Sequence, residues 1–117
     1  MEKLDFVFLI RDDKSWIQLF SHIYNLQKET HVVDKMAVVA VGTSVLSCFL
    51  CTTLSDFKES VAKLVNNGVE FYICINTLHK YGITENMILP EIKIAREGGL
   101  IKVARFETKG YHVITLG

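Results

Sequence analysis

The chain has 117 residues, half of them hydrophobic, and 13 Lys and Arg balance 13 Asp and Glu. That length and apolar content suit one domain with its own core, and the even charge speaks against a nucleic-acid or anionic-membrane partner. Three cysteines leave one unpaired in any intramolecular scheme, and no signal-peptide pattern precedes the first apolar run, so a reducing, cytoplasmic setting is expected.

Residues 4–10 form an apolar strand candidate that stops at Arg11-Asp12-Asp13-Lys14. Trp16, Ile17, Phe20, Ile23, Tyr24 and Gln27 then recur at three- and four-residue spacings, which predicts a helix capped by Asp13 or Ser15. A second strand over residues 36–41 runs into Gly42-Thr43-Ser44 and a short helix through Leu46, Phe49 and Leu50. The uncharged stretch 36–54 is long enough to raise the question of a membrane span. Gly42, Thr43, Ser44, Ser47, Thr52 and Thr53 dilute it, and a buried strand followed by a helix explains it better.

Asp56-x-x-Glu59 resembles a capping box for a helix with Phe57, Val61, Leu64 and Val65 on one face, closed by Asn67-Gly68. Residues 69–75 are rich in β-branched and aromatic side chains and predict the third strand. Asn76-Thr77 opens a helix that stops near Gly82. Residues 84–90 are a loop or single turn and residues 92–95 a short strand. Gly98-Gly99 starts a last helix with Leu100, Val103, Ala104 and Glu107 on one side, and residues 111–116 form the final strand.

Five strands alternating with helices predict a single α/β domain over residues 1–117. It has three layers, α/β/α, around a five-stranded parallel sheet with right-handed crossovers and the flavodoxin-like order 2-1-3-4-5. In that order the first and third strands are neighbours, which brings Arg11-Asp12-Asp13 beside Cys74-Ile75-Asn76.

Cys74 is the candidate nucleophile, because it stands where a strand gives way to a helix and faces backbone N–H groups that favour a thiolate or persulfide anion. The bland alternative is a packed cysteine, since buried strands are where free cysteine commonly resides. Arg11, Asn76 and Thr77 are the candidate ligand contacts around it, and neither His79 nor His112 is assigned as a base. Gly42-Thr43-Ser44 could cradle an anion at a helix start. It matches neither the Walker pattern nor G-x-G-x-x-G, so a turn glycine with a cap is the simpler reading. Cys48-Phe49-Leu50-Cys51 is formally C-x-x-C, but it falls inside a presumed helix and lacks two further ligands, so a structural role is expected. No metal or cofactor is implied. Phe6, Phe8, Phe71 and Tyr72 read as core or interface, not as a stacking platform.

The pattern Gly68-Val69-x-Phe71-x-x-Cys74-x-Asn76-Thr77-Leu78-x-x-x-Gly82-Ile83, followed by Leu89-Pro90, Gly98-Gly99 and Gly110-Tyr111, resembles the DsrE/DsrF-like family. It looks most like the small single-domain members with a Cys-x-Asn-Thr-Leu motif. The resemblance implies a cytoplasmic homo-oligomer, a trimer or hexamer, related to proteins that pass sulfur as a cysteine persulfide to or from a partner protein, with Cys74 matching the sulfur-carrying cysteine. Established carriers have small residues after that cysteine, where this chain has Ile75-Asn76-Thr77-Leu78. The chain also ends in Thr115-Leu116-Gly117, not in the cysteine arm of some partner subunits.

Two functions follow as expectations: a sulfur-relay protein using Cys74, or a non-enzymatic homo-oligomeric module that binds a small ligand with Cys74 in the pocket wall. A structural subunit with Phe49 and Leu50 at an interface is the third.

Overall fold

Alternation of apolar runs with amphipathic segments produces a single five-stranded parallel sheet in a computed structural model that describes residues 2–50, 52 and 56–117. The strands are β1 (Leu4–Ile10), β2 (Val33–Ala40), β3 (Glu70–Cys74), β4 (Lys93–Ala95) and β5 (His112–Leu116). The helices are α1 (Trp16–Gln27), α2 (Phe57–Asn66), α3 (Ile75–Lys80) and α4 (Gly99–Thr108). No helix among the described residues is long and apolar enough to cross a membrane.

The parallel α/β architecture is the expected one, and the strand order within it is β4-β3-β2-β1-β5 where 2-1-3-4-5 was expected. Strand count and crossover handedness are satisfied by both orders. What separates them is which connection reverses direction. Here β1 to β4 step steadily to one side, and the connection from β4 to β5 returns across β3, β2 and β1.

That return explains how the helices are distributed. Phe8, Ile10, Val38, Phe71 and Ile73 point to the face covered by α1, α2 and Leu78 of α3. Val7, Leu9, Ala37 and Val39 point to the opposite face, where they meet Val103 and Phe106 of α4. The larger core is organised by Trp16, which stacks on Phe20 and meets Phe57 edge-on at 4.9 Å. Its indole N–H donates to the Ser44 carbonyl at 2.9 Å, so the buried polar tip is satisfied.

Several local expectations change. Asp12, not Asp13 or Ser15, caps the turn before α1, accepting from the Ser15 N–H at 3.1 Å, while the Asp13 carboxylate accepts from the Ser47 hydroxyl. The Asp56 capping box does not form: Asp56 adopts a left-handed backbone (φ 65°) and its side chain makes no cap hydrogen bond, while its carbonyl accepts the first helical bond from Ser60 N–H at 2.9 Å. The helix expected through Leu46, Phe49 and Leu50 is a 3₁₀ helix, Gly42–Ser47. Phe49 beyond it pairs in an antiparallel bridge with Ile88, the Cys48 carbonyl accepting from Leu89 N–H at 2.9 Å. On α1 the inward residues are Trp16, Leu19 and Ile23, and Ile17 is exposed. On α4 they are Gly99, Val103 and Phe106, so Leu100 and Ala104 turn outward.

Candidate functional site

Cys74 ends β3 on the same sheet face as Tyr72, the face that α4 covers. The chain turns into α3 directly after it, so the amides of Asn76 and Thr77 have no partner in the preceding helical turn and are available to the sulfur. A third amide comes from across the sheet: Gly99 N–H, at the start of α4, donates to Cys74 Sγ at 3.1 Å. The long return from β4 to β5 is what carries this helix start over the ends of β2 and β3.

Gly99 permits that approach. A Cβ at this position would lie 2.4 Å from Val41 Cγ1 and 3.1 Å from Cys74 Cβ, inside contact distance for both. Gly98 before it has φ +102°, and its own Cβ would press on Asn76 Nδ2 at 3.0 Å. The Gly98-Gly99 pair therefore lets the backbone close onto the thiol and its neighbouring asparagine.

The electrostatic result differs sharply between the two described cysteines. Burial pushes the Cys74 thiol up, but the Thr77 amide and hydroxyl with the Gly99 and Asn76 amides outweigh it and hold the thiol below its ordinary value. Burial and the charge of Asp13 push Cys48 far above it, and the Cys48 S–H donates to the Ser44 carbonyl at 3.7 Å. Cys48 is an inert core thiol. Cys51 of the C-x-x-C pair lies outside the described residues.

Cys74, only 6 % exposed, sits in the wall of a cleft of about 580 Å³. Asn76 and Thr77 stand beside it, Arg11 and Thr115 come from the ends of β1 and β5, and Leu100 and Ile101 come from α4. The expected meeting of Arg11 with Cys74, Asn76 and Thr77 is thus present, although β2 stands between β1 and β3. Two strand spacings, about 10 Å, separate their axes, and the long arginine side chain lies on the shared cleft. Among the described residues Arg11 forms no ion pair, whereas the other charged residue of the lining, Glu97, is held by Arg105 through contacts of 2.7 and 3.0 Å.

Gly42, Thr43 and Ser44 do not line this cleft. Ser44 is buried and its hydroxyl donates to the carbonyls of Ile10 and Val41 at 2.9 and 2.6 Å. Thr43 accepts from Asp13 N–H at 3.3 Å, and a Cβ on Gly42 would meet the Arg11 carbonyl at 2.6 Å. The turn braces the end of β1, and so the residue that carries the guanidinium. His79 lines a separate groove with Glu85, and His112 packs on the Phe6 ring at 5.8 Å, so among the described residues no histidine lines the Cys74 cleft. The contributions of Thr115, Leu100 and Ile101 were not anticipated; they depend on strand order and on the orientation of α4. The Gly98-Gly99 pair was a local signal, read from the sequence as a helix start.

A family model described as DsrE/DsrF-like matches residues 20–116. The chain belongs to the DsrE/DsrF-like family. The span that carries the DsrE/DsrF-like match includes Cys74, Asn76, Thr77, Gly98 and Gly99 and begins after Arg11. Among solved structures, a protein of unknown function, MTH1491, from Methanobacterium thermoautotrophicum is similar over 97% of this chain and 100% of its own, with 25% identity and a TM-score of 0.86. The ychN protein from E. coli covers 97% of this chain and 100% of its own at 12% identity and a TM-score of 0.76. A conserved protein of unknown function, BT1422, from Bacteroides thetaiotaomicron covers 94% and 93% at 12% identity and a TM-score of 0.68. At 12% identity the likeness is one of fold alone. No curated protein matches the sequence.

Proposed function

We propose that this DsrE/DsrF-like protein is a sulfur carrier that holds sulfane sulfur as a persulfide on Cys74. The observation that carries the reading is the convergence of the Gly99, Asn76 and Thr77 amides and the Thr77 hydroxyl on one recessed sulfur that opens to a cleft. Such donors favour an anion on sulfur, which makes the thiol more nucleophilic than an ordinary cysteine and then stabilises the persulfide that replaces it.

The chemistry is an exchange at sulfur. The Cys74 thiolate attacks the terminal sulfur of a donor R–S–SH, the donor S–S bond breaks with its electron pair leaving on R–S⁻, and the proton passes to that thiolate. The products are Cys74–S–S⁻ and R–SH, with no net oxidation. A carrier of this kind acts in a reducing, cytoplasmic setting, where Cys74 remains a free thiol between rounds.

Self-assembly into a trimer or hexamer is part of the same proposal. Leu100 and Ile101 on α4 are 68 % and 48 % exposed, and Val113 on β5 is 37 % exposed. All three belong to the α4 side of the sheet, Val113 by its register with Val7, and exposed apolar residues of this kind are what a homo-oligomer buries.

The test is to incubate the reduced protein with a persulfide donor and to look by mass spectrometry for one added sulfur on the peptide containing Cys74. Transfer of label to that peptide, absent in Cys74→Ser, is the expected result. A thiol that takes up no sulfur and resists alkylation in the native protein would leave Cys74 as a wall of a binding pocket.

A further inference from the structure

We infer that the compound exchanging sulfur at Cys74 is a low-molecular-weight persulfide bearing a carboxylate, and that Arg11 is the residue that selects it; this rests on the carrier reading. The cleft has the volume of a small-molecule site, about 580 Å³, and its thiol is almost wholly covered, so a slim ligand reaches the sulfur where a folded protein surface does not.

Two features of the lining point to a second anionic group on that ligand. Arg11 and Glu97 are the formally charged residues of the cleft, and Glu97 is neutralised by its forked contact with Arg105. Neither neighbouring acid pairs with Arg11. Asp12 is engaged by Ser15 and Asp13 by Ser47, and no ion pair to Arg11 exists among the described residues. Among the described residues the cleft therefore carries one exposed guanidinium with no carboxylate paired to it, and its planar fork of donors matches a carboxylate.

The spacing is selective as well. Arg11 follows β1 and Cys74 ends β3, with Val41 at the end of β2 between them, so the two recognition points are separated by an apolar stretch that Leu9 and Leu100 extend. With strand axes about 10 Å apart, the carboxylate stands several bonds from the reacting sulfur. An organic persulfide with a carboxylate on its carbon frame meets this pattern. A neutral alkyl persulfide satisfies only the sulfur end.

The experiment compares glutathione persulfide, which carries carboxylates, with 2-hydroxyethyl persulfide, which carries none, as donors to the wild type, Arg11→Gln and Arg11→Lys. Sulfur on Cys74 is followed by mass spectrometry against donor concentration. Arg11→Gln is expected to raise the glutathione persulfide concentration for half-maximal loading about three- to tenfold more than it raises that of the neutral donor, and to be largely rescued by Arg11→Lys. Equal slowing with both donors, or no slowing with either, overturns the inference. Binding of S-methylglutathione, which cannot transfer sulfur, separates the two readings. If it binds the wild type but not Arg11→Gln while neither donor loads Cys74, the carrier reading falls and the ligand class stands. If it does not bind and nothing loads, both fall.

Discussion

The backbone amide of Gly99 lies 3.1 Å from the sulfur of Cys74, although 25 residues separate them in sequence. One helix start is thereby pinned to the end of a strand it does not follow, and the same contact sets the charge preference of the thiol.

Gly99→Ala tests this contact. The added methyl would sit 2.4 Å from Val41 Cγ1 and 3.4 Å from Cys74 Sγ, so α4 has to shift. We expect a loss of about 1–3 kcal/mol in urea unfolding, the usual cost of overpacking, together with a rise in the pH at which Cys74 reacts. An unchanged alkylation profile in a stable variant would show that the Gly99 amide does not tune the thiol.

Alkylation of the native protein against pH should resolve the two described thiols. Cys74 has a lowered pKa, so its rate should climb at lower pH than that of an ordinary thiol, while Cys48, buried and raised, should stay unmodified until the protein unfolds. Thr77→Val removes a donor to the charged form and should therefore move the Cys74 midpoint upward. A downward move, or none, would contradict the assigned role of the hydroxyl.

Ser44→Ala should act on stability and not on the thiol. Its hydroxyl is shared between the carbonyls of Ile10 and Val41, and since the Ile10 carbonyl keeps Val41 N–H at 3.0 Å, removing it costs a net hydrogen bond of about 0.5–1.5 kcal/mol. The check is paired: a lowered denaturation midpoint with an unaltered Cys74 alkylation profile. A thiol midpoint that shifted along with stability would tie this turn to the cleft.

Native mass spectrometry of the wild type should show a trimer or hexamer, and Leu100→Asp should shift the distribution to smaller species, since a charge on an exposed apolar cluster opposes its burial. A wild type that is monomeric across the micromolar range would remove self-assembly from the proposal.

The chain's own periodicities accounted for most of its elements because each depends on near neighbours, while the helix expected through Phe49 and Leu50 gave way to a bridge with Ile88. Alternation and β-branching placed β1 and β3, and the Cys74-to-Asn76 boundary fell within a residue of the observed junction. Faces were harder to assign. Leu100 and Ile17 follow the helical period as well as Val103 and Leu19 do, and which stripe is buried depends on the sheet beneath it. Caps failed where a residue far along the chain competed: the Asp13 carboxylate goes to Ser47 and leaves the cap to Asp12.

Residue order alone specified a five-stranded parallel α/β domain, a thiol at the end of its third strand, and two glycines before its last helix. Strand order was beyond its reach, because right-handed crossovers and amphipathic helices serve 4-3-2-1-5 and 2-1-3-4-5 equally, and the choice is made by packing between segments dozens of residues apart. That packing sends α4 back across the sheet and sets the Gly99 amide on Cys74. It also leaves Arg11 lining the cleft with no ion pair among the described residues.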